Sequence, residues 1–160
     1  MKQAYLIISH NEFKLLNYLI QLLDSSDNEI YVHIDKKSMQ QACLDLMQHY
    51  AGNSRVHFYS EYSVNWGDES QVSVELFLLK QALGNHHDYY HILSGVDLPI
   101  KSNDEIEKFL RKNYGKEFVQ FESEQIDEKY LNRVLYRHYL SRVLKQSKYR
   151  IIRKTMFVLD

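Results

Sequence analysis

Tyr5-Leu6-Ile7-Ile8-Ser9-His10-Asn11 passes from a four-residue apolar run to three polar residues, and Phe13, Leu16, Ile20 and Leu23 then recur at helical spacing. That is a strand followed by a helix, with Asn11 as the expected cap. The same alternation continues outward along the chain. Ile30-Tyr31-Val32-His33-Ile34 is a second strand, rich in β-branched and aromatic residues. Ser38 and Gln41 form a capping box for a helix to about residue 50. Val56-His57-Phe58-Tyr59 is a third strand, and residues 69–83 form a helix with Val72, Leu76, Leu79 and Leu83 on one face. Residues 89–93 are a fourth strand, Ser102 and Glu105 cap a helix to about Lys112, and residues 118–121 are expected as a fifth strand. Strand–helix alternation of this kind implies an α/β fold, a mostly parallel Rossmann-like sheet with helices on both faces.

From Asp127 onward the pattern changes. Leu131, Val134, Leu135, Tyr139 and Val143 form an apolar stripe in a basic helical segment, 127–160, behind a first domain of residues 1–126. Residues 128–160 carry nine Lys/Arg against two acids, whereas the rest of the chain is net acidic. The overall net charge of -1 hides this asymmetry. An acidic body with no recognition motif argues against nucleic-acid binding. The basic segment either packs on the sheet with its charges solvated or meets an anionic membrane surface. With 44% hydrophobic residues, five Gly and one Pro, neither a disordered chain nor a low-complexity one fits. The single cysteine, Cys43, forms no internal disulfide and supplies no cysteine-based zinc site. No apolar run reaches the roughly 18 residues of a membrane span, and no signal-peptide pattern opens the sequence. The expected location is cytoplasmic, or peripheral at the inner face of a membrane. The chain stops at Asp160 within an apolar run, as a natural terminus or a truncated one.

Ligands of open α/β sheets bind beyond the carboxyl ends of the strands. Three stretches lie there: Ser9-His10-Asn11, Asp35-Lys36-Lys37 and Ser94-Gly95-Val96-Asp97-Leu98-Pro99. No Gly-rich phosphate loop is present, so a nucleotide would rely on side chains and strand-end backbone. Asp35 suits a base or ribose as an acceptor, or caps its own turn. Asp97, bracketed by Gly95 and Pro99, has the same two readings. Trp66, followed by Gly67, is a rim residue or a ligand platform. His86 and His87 read as a solvated turn, His33 and His91 as core or sheet-face histidines, and the Glu122/Glu124 pair as an acidic turn. No metal is expected to be needed.

In order and spacing, four stretches resemble the core-2 and I-branching β-1,6-N-acetylglucosaminyltransferase family, related to the peptide O-xylosyltransferases. They are residues 5–10, residues 30–38, Val64-Asn65-Trp66-Gly67-Asp68-Glu69-Ser70, and residues 90–103, within about residues 3–121. The resemblance implies a GT-A-like domain and inverting transfer from a UDP-sugar without the usual metal-binding acidic pair. It puts the uridine contact on Asp35 with Ile8 beside the base. It puts the aromatic donor residue on Trp66 with Gly67 after it, the donor-sugar contact on Asp97, and Lys37 where some members carry Arg near the nucleotide. His10, at the same strand end, joins the expected donor set. The family's catalytic glutamate and its diphosphate-binding Arg/Lys pair fall beyond Asp160, so the catalytic base is not assigned within this chain.

The expected activity is therefore a glycosyltransferase domain moving N-acetylglucosamine or xylose from a UDP-sugar to a glycan or lipid-linked saccharide in polysaccharide synthesis. On its own the fragment is expected to be inactive. A non-catalytic UDP-sugar-binding module is the alternative.

Overall fold

A computed structural model describes residues 1–46, 52–65 and 68–119. The chain divides into two compact units, Met1–Tyr114 and Gly115–Asp160, of which the second is described only for residues 115–119. The first unit is built on four strands: β1 (Gln3–Ser9), β2 (Asn28–Ile34), β3 (Arg55–Tyr59) and β4 (Tyr89–Ser94). All pair in parallel in the order β3-β2-β1-β4, with Ile8 opposite both His33 and Ser94. This is the expected α/β, GT-A-like sheet. The change of winding direction falls between β1 and β4, where a crevice opens.

The period-two alternation of β1 and β2 distributes their side chains between two cores. Tyr5, Ile7, Ile30, Val32 and Ile34 pack with Phe13, Leu16, Leu19 and Ile20 of α1 (Phe13–Leu22) and with Ala42 of α2 (Met39–Leu46). On the other face Ala4, Leu6 and Tyr31 meet Val74, Leu78 and Ala82 of α3 (Glu69–Leu83). The last helix, α4 (Asn103–Lys112), starts in the expected capping box of Ser102 and Glu105. Asn103 ties it to the end of α1 by donating to the Leu22 carbonyl at 3.1 Å.

Four local expectations change. Helix α1 is not capped by Asn11: Glu12 precedes it in the left-handed region at φ 51° and offers no side-chain cap. Its carbonyl instead accepts from Leu15 and Leu16 N–H. Ser38 lies inside a 3-10 turn, Lys36–Ser38, whose cap is Asp35. On α3 the buried stripe is Ser70, Val74, Leu78 and Ala82, while Val72, Leu76 and Leu83 are exposed. Val74 and Leu78 fill the centre of that face, with the small Ser70 and Ala82 a turn or so to either side. Finally, Phe118 and Val119 form no strand; Gly115 at φ 82° turns the chain out of α4, and residues 120 and 121 lie outside the described part. The basic segment 127–160 and the Glu122/Glu124 pair also lie outside it. Among the described residues no helix is long and apolar enough to cross a membrane.

Candidate functional site

At the carboxyl ends of β1, β2 and β4 a cleft of about 480 Å³ opens against the first turns of α3. Ile8 and Ile92 give it an apolar floor beside Val64, with Ser9, His10, Asp35, Lys37 and Ser94 at the strand ends. Four of the residues singled out in the sequence (Ile8, His10, Asp35 and Lys37) thus converge on one cavity. A second, more open cleft of about 450 Å³ shares His10 and Lys37 with the first and continues past Lys14 and Gln41.

Asp35 is buried, at 4% exposure. Its Oδ1 accepts from Lys37 N–H at 3.0 Å and from Val64 N–H at 3.3 Å. The ammonium of Lys37 donates to the Val64 carbonyl at 2.6 Å and to Asn65 Oδ1 at 3.1 Å. Asp35 therefore performs its capping role and joins the segment before α3 to the end of β2. Beneath it, His33 is fully buried and its Nε2 accepts from Tyr62 N–H at 3.1 Å. Burial pushes the His33 imidazole below its ordinary pKa, more strongly than the Asp35 and Glu61 charges push it up. The ring is accordingly neutral, with its proton on Nδ1.

Asp97 takes its turn role. Its Oδ2 accepts from Ser94 N–H at 2.7 Å while its own N–H donates to the Ser94 carbonyl at 3.0 Å. The carboxylate is exposed and does not line the cleft. The turn also brings Gly95 against β1: its N–H donates to the Ile8 carbonyl at 2.8 Å, and a Cβ there would lie 2.5 Å from Ser9 Oγ. Trp66 and Gly67 lie outside the described residues.

The sequence reading missed Gln71 and Glu75, which line the same cleft one helical turn apart on α3. Their signal was the four-residue spacing beside the buried Val74 and Leu78, hidden while Val72 and Leu76 were assigned to the core.

A second polar cluster lies at the opposite, amino-terminal end of β2. Buried Glu29 receives His57 Nε2 at 2.8 Å, His87 Nε2 at 3.0 Å, Arg55 at 3.0 Å and Asn85 at 3.1 Å. Burial opposes ionisation of Glu29, but these hydrogen bonds and the Arg55 charge outweigh it and hold the carboxyl below its ordinary value. His87 is consequently not a solvated turn residue; its side chain is 2% exposed. The left-handed backbone of His86, at φ 51°, aims the next ring inward against Tyr31 and Tyr90. His91 lies on the sheet as expected, stacked on Tyr5 at 4.7 Å. Among the described residues no group of three His, Cys, Asp or Glu is arranged to hold a metal ion.

Known proteins share this arrangement of sequence. Over 123 residues, 73% of this chain, it is 30% identical to xylosyltransferase 2 of Rattus norvegicus and 28% identical to that of Homo sapiens. Over 122 residues it is 29% identical to the human beta-1,3-galactosyl-O-glycosyl-glycoprotein beta-1,6-N-acetylglucosaminyltransferase. The matched region spans 14% of each xylosyltransferase and 28% of the acetylglucosaminyltransferase. The Core-2/I-Branching enzyme profile matches residues 3–157, nearly the whole length, and takes in every strand and helix described above. This chain belongs to the Core-2/I-Branching enzyme family.

Proposed function

We propose that the chain is the donor-binding part of a glycosyltransferase and that its cleft takes the nucleoside diphosphate of a UDP-sugar. The observation carrying this reading is the convergence of Ile8, His10, Asp35 and Lys37 on one cavity at the sheet's switch point. An apolar floor suits the face of a base, and strand-end polar groups suit its edge and the ribose. The names of the similar proteins favour xylose or N-acetylglucosamine as the sugar moved.

In an inverting transfer the acceptor hydroxyl attacks the anomeric carbon as a carboxylate takes its proton, and UDP departs with the electron pair of the broken bond. This chain supplies the holding of the donor. Asp35 fixes the mouth of the cleft, and Lys37 and His10 offer the positive or hydrogen-bonding groups nearest to where phosphates would leave. Neither the base nor the acceptor is assigned. Donor binding proceeds without a divalent metal. The basic residues 128–160 bring the domain to an anionic, cytosol-facing membrane that presents a lipid-linked acceptor. Sedimentation with anionic vesicles but not neutral ones, weakening with salt, is the expected sign.

Calorimetry with UDP, ADP and GDP tests the central reading. UDP is expected to bind preferentially. Asp35→Ala should weaken it by about 1.5–3 kcal/mol, the contribution of a hydrogen bond to a charged group. Equal binding of the three nucleotides, or of UDP by both proteins, would refute it.

A further inference from the structure

Glu75 makes no hydrogen bond or ion pair among the described residues, although it is half-buried and lines the cleft. The other acid in the cleft, Asp35, is engaged by two backbone N–H groups and the Lys37 ammonium. Nor does α3 offer Glu75 a cation: its neighbours three and four residues away are Val72, Leu78, Gln71 and Leu79. The Glu75 carboxylate beside Ile8 and Ile92 is thus an acceptor not engaged by the described residues and open to a ligand in the cleft.

The rotation of α3 is well fixed. Asp68 caps it by accepting from Ser70 N–H at 3.0 Å, Ser70 Oγ accepts from Asn65 N–H at 2.9 Å, and Val74 and Leu78 are completely buried. Glu75 and Gln71, with Cβ atoms about 5–6 Å apart at this spacing, therefore form one wall over the apolar floor. A carboxylate there accepts hydrogen bonds and repels phosphate. It selects a neutral N–H or O–H donor, and it directs a diphosphate toward the His10 and Lys37 side.

Building on the proposed UDP-sugar reading, we infer that Glu75 is a specificity-determining residue that accepts a hydrogen bond from the nucleoside of the donor. Two groups of uridine have this chemistry, the ring N3–H and the ribose hydroxyls. Gln71, whose amide both donates and accepts, borders the same group.

The test compares UDP, 3-methyl-UDP and 2′-deoxy-UDP on the full chain and on its Glu75→Ala and Glu75→Gln forms, with thermal melts confirming that each folds. The wild type should lose about tenfold in affinity on one of the two replacements. Both variants should bind UDP about tenfold more weakly and be indifferent to that same replacement, because the lost group no longer has its acceptor. Loss on 3-methylation identifies N3–H as the partner; loss on 2′-deoxygenation identifies the ribose. If every variant keeps the wild-type sensitivity to both replacements, or if the variants bind UDP as well as the wild type, Glu75 does not touch the nucleoside and the inference falls alone. If the wild type binds no UDP, the proposed function falls with it.

Discussion

The ammonium of Lys37 lies 3.3 Å from the Asp35 carboxylate, while the backbone N–H of the same lysine donates to the other carboxylate oxygen at 3.0 Å. One residue thus neutralises the acid and closes its turn. Its chain then reaches the Val64 carbonyl, so the segment ahead of α3 is fixed to the end of β2. Lysine at this place is first a brace of the cleft, whatever it offers to a phosphate.

Lys37→Ala should accordingly lower stability by about 1 kcal/mol, more than the half-unit spread of a solvated surface lysine. Lys37→Arg should recover part of it. Urea unfolding of the three proteins measures this, and a Lys37→Ala value within 0.5 kcal/mol of the wild type, to take about half a unit as the surface range, would mean the brace is idle.

Much of this architecture can be read directly from residue order. Strands β1 and β2 lie in the middle of the sheet and are buried on both faces, so they appear as apolar runs. Helix α4 announces itself through Ser102 and Glu105. The rotation of α3 is another matter. Val72, Leu76 and Leu83 point away from the sheet, while Ser70, Val74, Leu78 and Ala82 face it. Val and Leu occur on both faces, Val74 and Leu78 buried and Val72 and Leu76 exposed, so a pattern of hydrophobicity cannot choose between them. The same error concealed Gln71 and Glu75. Ile8, His10, Asp35 and Lys37 were legible because strand ends in a parallel sheet have a fixed functional side. The environment of His87 was not, since it depends on a left-handed residue at His86 and on a buried acid 58 positions away.

Metal dependence offers a separate prediction. The described cleft holds two carboxylates, and Asp35 is occupied by its own turn. UDP affinity should be the same in excess EDTA and in saturating manganese. A tenfold or larger gain with manganese would direct attention to acids such as Asp97 or the Glu122/Glu124 pair as ligands.

Stability should fall in two stages as the solution is acidified. Burial depresses the pKa of His33 and of His91, so the unfolded chain takes up protons that the folded chain refuses. Stability from this source is present above about pH 6.5, the unfolded value, and is lost as pH falls below it. The Glu29 carboxyl is also depressed, so its contribution persists above about pH 4.3 and disappears only below. His33→Gln, which keeps an acceptor for Tyr62 N–H, should reduce the upper stage to the part due to His91 and leave the lower one. Glu29→Gln should do the reverse, at a stability loss of about 1–3 kcal/mol at neutral pH from weakened partners. Urea midpoints from pH 8 to about pH 2 give the answer, and identical slopes in all three proteins would rule the assignment out.

The contact between Gly95 and Ser9 joins the turn after β4 to the end of β1, on the rim of the cleft. Gly95 has an ordinary backbone conformation, so its freedom at φ is not what the site requires; the requirement is space. A Cβ on residue 95 would lie 2.6 Å from Ser9 Cβ and 3.2 Å from Ser9 Cα. These atoms are no flexible side-chain tip that swings aside; they belong to a buried residue at the end of a central strand. Gly95→Ala must therefore push the turn off β1 and strain the 2.8 Å bond from Gly95 N–H to the Ile8 carbonyl. Overpacking of this kind costs about 1–3 kcal/mol. Because Ile8 and Ser94 line the cleft on either side of this contact, UDP binding should weaken in parallel. Ser9→Gly removes both atoms of closest approach, so the double variant Ser9→Gly/Gly95→Ala should lose less than the sum of the single changes. A coupling energy of at least about 0.5 kcal/mol in urea unfolding is expected for residues in direct contact. Strict additivity would show that the two strand ends tolerate the added methyl independently, and that the close approach does not shape the cleft.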